Sequence, residues 1–136
     1  MGLIFDTTEF IAAERSHRSI GDVIASFDSQ EEIGISVVTV AELQHGVRRA
    51  QGHRQLERRR LLLEDALSVF KVHPFTRVIA LRVGDLDAEL AMQGKRTDFA
   101  DLVIAATALD LNFALVTNNT RHFMRIPDLR ILPSSL

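Results

Sequence analysis

Short apolar runs recur along this chain, and polar or amphipathic stretches separate them. Four runs predict strands, at residues 3–5, 33–36, 70–73 and 113–117. A fifth run, residues 129–132, predicts a final edge strand just before Pro133. The runs are short and are bounded by polar or turn-forming residues, which is typical of buried strands.

The stretches between these runs have the spacing of helices. One predicted helix starts near Thr39 and places Val40, Leu43 and Val47 on one face. The other predicted helices cover residues 9–13, 20–27, 55–69, 77–92 and 99–111. Strands that alternate with helices predict a three-layer α/β/α fold around a central, mostly parallel sheet. At 136 residues we expect a single domain, residues 1–136.

Composition narrows the classes of function. The chain is 46% hydrophobic and 25% charged, which is ordinary for a soluble globular protein. It has no cysteine, so disulfides, thiolate zinc sites and a cysteine nucleophile are excluded. No apolar run approaches the roughly 20 residues that span a bilayer, and the start lacks the features of a signal peptide. A cytoplasmic protein fits these observations.

Acidic or amide side chains stand near the ends of the apolar runs. Asp6 follows the first run, Glu42 lies just past the second, Asp101 opens an apolar stretch, and Asn119 follows the run that ends at Thr117. The carboxyl ends of parallel strands converge on one crevice. Three carboxylates gathered there would repel one another unless a cation bound them. We therefore predict a divalent-metal site with Asp6, Glu42 and Asp101 as ligands.

Two of these acids also have purely local explanations. Asp6 can cap the helix that follows it, although Thr7 or Thr8 could do so instead. Residues 39–42, with the sequence TVAE, match a capping box in which Glu42 reaches back to the amide of Thr39. A helix that starts beside a strand end would still bring Glu42 near the crevice.

The other two positions have alternatives of the same kind. Asp98 and Asp101 both lie in a first helical turn, where negative charge is favoured by the helix dipole. Asp101 lies among apolar residues, where burial of a lone carboxylate costs free energy, so we predict that it is a metal ligand. We predict that Asp98 is a helix cap or a residue that surrounds the ligands. Asn119 can be part of a simple turn, or it and Thr117 can orient a metal-bound water.

The histidines and arginines are less specific. None of the five histidines has a serine or an acidic partner at a telling spacing, which favours surface or turn positions: His17, His45, His53, His73 and His122. Six arginines crowd one region: Arg48, Arg49, Arg54, Arg58, Arg59 and Arg60. They form either a solvated face balanced by Glu57, Glu64 and Asp65, or a phosphate-binding patch. Lys95, Arg96 and Arg121 lie nearer the predicted ligands in sequence.

Four segments resemble one known family. They are LIFDT at residues 3–7, ISVVTVAELQHG at 35–46, DLVIAATA at 101–108 and LVTNNTRHF at 115–123. In this order, and over nearly the whole chain, they resemble PIN-domain ribonucleases, in particular the VapC-type toxins of prokaryotic toxin–antitoxin pairs. The runs IAATA and VTNNTRHF are the most specific part of the resemblance.

The resemblance implies an endoribonuclease toxin that inhibits translation and growth. It assigns Asp6, Glu42 and Asp101 to the three core acidic positions of the catalytic site. Asn119 falls where many PIN domains carry a fourth aspartate, which leaves open whether one or two metal ions are held. Oxygen-only ligands suit Mg²⁺, or Mn²⁺ as a substitute. Such an ion would activate water for attack on an RNA phosphodiester, with the hydroxyls of Thr7 and Thr117 available to hold water or a phosphate oxygen.

The resemblance also implies partners. We expect a homodimer and a small VapB-type antitoxin that wraps the apolar helices and inserts an arginine into the acidic pocket. The expected docking surface lies near Ile11, Ile20, Ile24 and Phe27, or along residues 61–67.

Two other interpretations stay open. A metal-dependent phosphohydrolase of the haloacid-dehalogenase type, or a receiver domain, also has an aspartate after the first strand. An enzyme of the haloacid-dehalogenase type requires a second aspartate at position 8, where this chain has Thr8. A receiver domain requires a lysine after its fifth strand, and none is evident in this sequence. A module that binds RNA and represses translation without cleavage is the non-enzymatic alternative.

Overall fold

A central parallel sheet organises the chain in the computed structural model, which describes residues 2–28 and 30–134. The described part contains five strands: β1 (Gly2–Phe5), β2 (Glu32–Ser36), β3 (Lys71–His73), β4 (Ala114–Val116) and β5 (Ile131–Leu132). They lie in the order β3-β2-β1-β4-β5, and every neighbouring pair is parallel. The predicted sheet is therefore confirmed.

Helices connect the strands and cover both faces of the sheet. Those in the described part are α1 (Thr7–Arg15), α2 (Ile20–Ile24), α3 (Val37–Arg48), α4 (His53–Val69), α5 (Arg77–Met92), α6 (Phe99–Leu111) and α7 (Thr120–Phe123). The bounds of α5 and α6 match the sequence prediction. The short helix α7 was not predicted. Within the described residues, no helix is both long enough and apolar enough to cross a membrane.

Alternate strand residues point into two separate cores, which makes three layers. On one face, Ile4 and Leu115 pack with α5 and α6, through residues such as Leu90 and Val103. On the other face, the alternate residues of the same strands pack with α1, α2 and α4. The members of this second core include Leu3, Phe5, Phe10, Ile20, Ile35, Ala66, Phe70 and Val116. The predicted α/β/α arrangement is confirmed.

The start of α3 differs from the prediction. Its cap is Ser36, whose side chain accepts a hydrogen bond from the Val38 amide at 3.1 Å. Thr39 lies inside the helix, is fully buried, and is not a cap. The capping box proposed for Thr39 and Glu42 is therefore wrong, because the cap of the helix lies three residues earlier, at Ser36. Glu42 is left free for another role.

The strand order places a crevice in a useful position. The chain moves outward from β1 to β2 and β3, and then returns to add β4 and β5 on the other side. The order thus reverses between β1 and β4, and ligands of parallel sheets bind outside the carboxyl ends of strands at such a point. Asp6 and Thr117 directly follow these two strands.

Candidate active site

Asp6 is a buried carboxylate at the end of the central strand. Its exposed fraction is 1%, and its Oδ2 accepts hydrogen bonds from the hydroxyls of Thr8 at 2.6 Å and Thr117 at 2.8 Å. Asp6 occupies the position before α1, but its side chain caps no amide there among the described residues. The capping interpretation is therefore wrong for Asp6. Its carboxylate is held by one hydroxyl from α1 and one from the residue that follows β4.

Glu42 reaches the same edge from α3 and is held by a pair of threonines. The Thr7 hydroxyl donates to Glu42 Oε1 at 2.7 Å, and the hydroxyls of Thr7 and Thr39 lie 2.8 Å apart. Because Thr7 has one hydroxyl hydrogen and gives it to Glu42, Thr39 is the donor in the second bond. Burial of Thr39 thus serves to orient Thr7, which in turn orients Glu42.

Asp101 lies in the first turn of α6 and faces the other acids. The pKa of its carboxyl is raised to about 6, first by burial and then by the nearby charges of Asp6, Asp98 and Glu42, against a lowering by His122. The His122 Nδ1 atom lies 3.8 Å from Asp101 Oδ2. A carboxyl with this pKa ionises at higher pH than an ordinary aspartate, and a positive charge close by would favour its ionised form.

The segment after β4 completes the site. The Asn119 amide donates to Thr117 Oγ1 at 2.9 Å, so Thr117 accepts from Asn119 while it donates to Asp6. The structure thus brings all five predicted residues to one edge of the sheet: Asp6, Glu42, Asp101, Thr117 and Asn119. The hydroxyls of Thr7 and Thr117 donate to carboxylates. Neither hydroxyl therefore has a free hydrogen to donate to a water or a phosphate oxygen, the role expected from the sequence.

Some residues of the site were missed or misjudged. His122 does have an acidic partner, contrary to the prediction, because α7 turns it back toward Asp101. Asp98 stands at the cap position of α6, but its side chain caps no amide among the described residues, so it acts on Asp101 through its charge. Glu9, whose buried carboxylate lies behind the site, carried no signal in the sequence pattern.

The donor chemistry fits a hard cation, but the arrangement is open. In the described part of the chain, no three histidine or acidic side chains form a group that could hold a metal ion. Mg²⁺ commonly binds through one or two carboxylates and keeps several waters, so it does not require such a cage. Mutual repulsion among the acids around Asp101 is the observation that favours a cation here.

The profile of the PIN domain family matches residues 3–129 of the chain. Ribonuclease VapC of Rickettsia bellii (strain RML369-C) is 30% identical over 132 residues, 97% of this chain and 96% of that protein. The chain is a PIN-domain protein of the VapC family. The tRNA(fMet)-specific endonuclease VapC of Shigella flexneri is 35% identical over 102 residues, 75% of each chain.

Chains in solved toxin–antitoxin complexes share the fold. The crystal structure of VapBC2 from Rickettsia felis, bound to a promoter DNA fragment, contains a chain that superposes with a TM-score of 0.86 at 29% identity. That match covers 99% of this chain and 100% of the other. A toxin–antitoxin complex from Klebsiella pneumoniae contains a chain with a TM-score of 0.67 at 26% identity, over 96% of both chains. The predicted family is therefore confirmed.

Proposed function

We propose that this protein is a Mg²⁺-dependent endoribonuclease toxin that hydrolyses RNA phosphodiesters and so inhibits translation and growth. The observation that carries the proposal is the set of carboxylates at the reversal of strand order, where Asp101 is half-buried and lies near Asp6, Asp98 and Glu42. The names of its relatives, ribonuclease and tRNA(fMet)-specific endonuclease, support RNA as the substrate.

Asp6, Glu42 and Asp101 would hold the cation, with Mn²⁺ able to replace Mg²⁺. A divalent cation supplies charge neutralisation and Lewis acidity for the attack of water on a phosphodiester. The threonine hydroxyls fix Asp6 and Glu42 before the substrate arrives, which removes a reorganisation cost from the reaction. Asp101 must be ionised to bind the cation, so protons compete with the metal as the pH falls toward 6.

The acidic edge alone would repel RNA, so basic residues must approach it. Arg58 and Arg59 are engaged by Glu14, with Arg59 Nε 3.1 Å from its Oε1, and Arg60 pairs with Glu57 at 2.9 Å. Three of the six crowded arginines thus have acidic partners within the protein. Lys95, Arg96 and Arg121 are exposed, and we infer that they contact the phosphates that flank the cleaved bond.

Cleavage of a mixed RNA pool tests the proposal. Protein freed of any antitoxin is incubated with the pool in Mg²⁺, in Mn²⁺ and in EDTA, beside an Asp101→Asn control. We expect cleavage in either metal, none in EDTA and none with the variant. Tight RNA binding without cleavage would favour the translational repressor that binds RNA, and cleavage in EDTA would refute metal dependence.

An antitoxin has a suitable surface beside the site. A groove of about 190 Å³ lies between α1, α3 and α4, and its lining includes Glu42 and the apolar residues Phe10, Ile11, Leu43 and Leu62. We infer that an amphipathic VapB-type segment lies in this groove and extends an arginine to the acids. Ile11, Leu62 and Leu63 line this groove, but Ile20 does not, because it is 3% exposed and packs in the core.

A homodimer has a suitable surface on α5. Val78 and Leu81 are 57% and 65% exposed, and the exposed rings of Phe75 and Phe99 pack edge to face with centroids 5.9 Å apart. Apolar side chains exposed together favour association. We expect Leu81→Glu to convert the dimer to a monomer in sedimentation, whereas Met124→Glu, at another exposed apolar residue, leaves the dimer intact.

A further inference from the structure

Glu9 is a buried carboxylate close to the site, and none of the roles above uses it. Its exposed fraction is 2%. Its Oε2 accepts a hydrogen bond from the Asn118 amide at 3.3 Å, while Oε1 has no hydrogen-bond partner among the described residues. Glutamate is rarely buried to this degree, and a buried oxygen without a partner costs free energy. A substitution by an apolar residue would avoid that cost, so a further role is indicated.

The carboxylate contacts the segment that carries two site residues. We call residues 117–119 the β4–α7 loop. Polar contacts hold each of its residues: Thr117 donates to Asp6 at 2.8 Å, Asn118 donates its amide to Glu9, and Asn119 donates its amide to Thr117 at 2.9 Å. Glu9 thus holds the backbone amide of the central residue.

Glu9 is also coupled to Asp6 through the backbone. Its amide donates to the Asp6 carbonyl oxygen at 3.0 Å, in the first turn of α1. One residue is therefore bonded to Asp6 by its main chain and to the β4–α7 loop by its side chain. Any shift of α1 would move Asp6 and the loop together, which keeps the Thr117 hydroxyl in reach of Asp6.

The segment after β5 contacts both Asn118 and Glu9. The Ser134 amide donates to Asn118 Oδ1 at 2.9 Å, and the Ser134 side chain hydrogen-bonds to Glu9. Asn118 is thus held on two sides, by Glu9 from α1 and by Ser134 from the end of the sheet. Because Glu9 is 2% exposed, its hydrogen bonds to this segment are made away from water.

We propose that Glu9 is a positioning residue that fixes the β4–α7 loop, so that Asn119 holds Thr117 and Thr117 holds Asp6 in its working orientation. The consequence for cleavage rests on the proposed nuclease function, but the hold on the loop does not. Glu9 itself touches neither RNA nor metal in this account. It acts through Asn118 and the two loop residues beside it.

Two variants at one position test the proposal. Glu9→Gln keeps an acceptor oxygen for the Asn118 amide, and Glu9→Leu keeps the approximate size and removes every acceptor. Val83→Ala serves as the control, since it removes core volume on α5, away from the loop. Amide hydrogen exchange is measured at residues 118 and 119, and RNA cleavage is measured as kcat and KM.

With Glu9→Leu we expect exchange at both amides to accelerate by about tenfold or more. We expect kcat to fall by about tenfold while KM changes little, because a displaced site group weakens the reaction step more than binding. Glu9→Gln should restore most of both values. Val83→Ala should lower the melting temperature without changing loop exchange or kcat.

Wild-type exchange and kcat in Glu9→Leu would overturn the proposal, as would equal losses in the two Glu9 variants. If Glu9→Leu does not fold, the wild-type protein decides the question. The amide of Asn118, an exposed residue, should then be strongly protected from exchange, and rapid exchange would overturn the proposal. Absence of cleavage by the wild type would refute the nuclease function, and loop exchange would still decide the role of Glu9.

Discussion

The two sides of the acidic site hold their carboxylates in different ways. On the sheet side, Asp6 is almost fully buried and accepts two hydroxyl hydrogen bonds on Oδ2, at 2.6 and 2.8 Å. On the α6 side, Asp101 faces three acids, and its Oδ2 lies 3.8 Å from the Nδ1 atom of His122. Neutral donors stabilise the carboxylate of Asp6. The carboxylate of Asp101 is repelled by its acidic neighbours, and a cation or a proton would relieve this repulsion.

This contrast separates function from stability. Residues that fix a ligand should contribute to both, because their hydrogen bonds are made in the folded state. A residue kept in repulsion should contribute to function at the expense of stability, as is common where active sites store strain. The same substitution on the two sides should therefore have similar effects on cleavage and opposite effects on folding.

The largest expected effect is shared by both sides. Asp6→Asn and Asp101→Asn should each reduce kcat for RNA cleavage by roughly 10²–10³-fold, because each removes a negative charge that would hold the cation. Initial rates on one RNA substrate at saturating Mg²⁺ measure the loss. Full activity in either variant would remove that residue from the site.

The free energies of unfolding of Asp6→Asn and Asp101→Asn should change in opposite directions. Asp6→Asn should lower the free energy of unfolding by about 1–3 kcal/mol, because a neutral amide oxygen accepts the two hydroxyl hydrogen bonds less strongly than a carboxylate does. Asp101→Asn should raise it at pH 7.5. The rise in pKa from 3.8 to about 6 corresponds to up to about 3 kcal/mol, and partial solvation reduces the expected gain to about 1–2 kcal/mol.

The pH dependence follows from the direction of the Asp101 shift. Below pH 3.8 the carboxyl is protonated in both the folded and unfolded chain, and it costs the fold nothing. As the pH rises through about 6, the folded carboxylate ionises among its acidic neighbours, and the stability present at low pH is lost. Denaturant unfolding in EDTA at pH 4 and pH 7.5 measures the effect. If Asp101→Asn is less stable than the wild type at pH 7.5, the claim that the Asp101 carboxylate destabilises the fold is wrong.

A smaller effect is expected from the hydroxyl that links the strands. Thr117→Val should reduce kcat by about 10- to 100-fold, because it frees Asp6 from one donor and leaves the Asn119 amide without its acceptor. Thr107→Val is the matched control, since Thr107 is also fully buried but donates to the Val103 carbonyl within α6. Equal activity losses in the two valine variants would show that burial, not contact with Asp6, is what matters.

Much of the fold could be predicted from the chain because its apolar periodicity is regular. The ranges of α5 and α6 and the strands at both edges followed from that pattern. The start of α3 did not, because Ser36 and Thr39 both suit a cap and the pattern alone does not choose between them. The four-residue α7 is too short to have a periodicity of its own, although Phe123 within it is fully buried.

The site was predictable at the level of which residues meet, but not of how they are held. Strand ends that converge, together with the family resemblance, were enough to bring Asp6, Glu42 and Asp101 together. The links among the threonines depend on side-chain directions that a linear pattern does not contain. The burial of Glu9 and the return of His122 toward Asp101 likewise result from tertiary packing. The metal and its ligands stay predictions.

Mn²⁺ binding tests the central claim most directly. Free and bound Mn²⁺ are measured by electron paramagnetic resonance at neutral pH, without RNA, for the wild type, Asp6→Asn, Asp101→Asn and Thr107→Val. The account predicts binding by the wild type and Thr107→Val, and binding weaker by about tenfold or more in the two asparagine variants. Equal Mn²⁺ affinity in all four proteins would contradict a metal site built on these carboxylates.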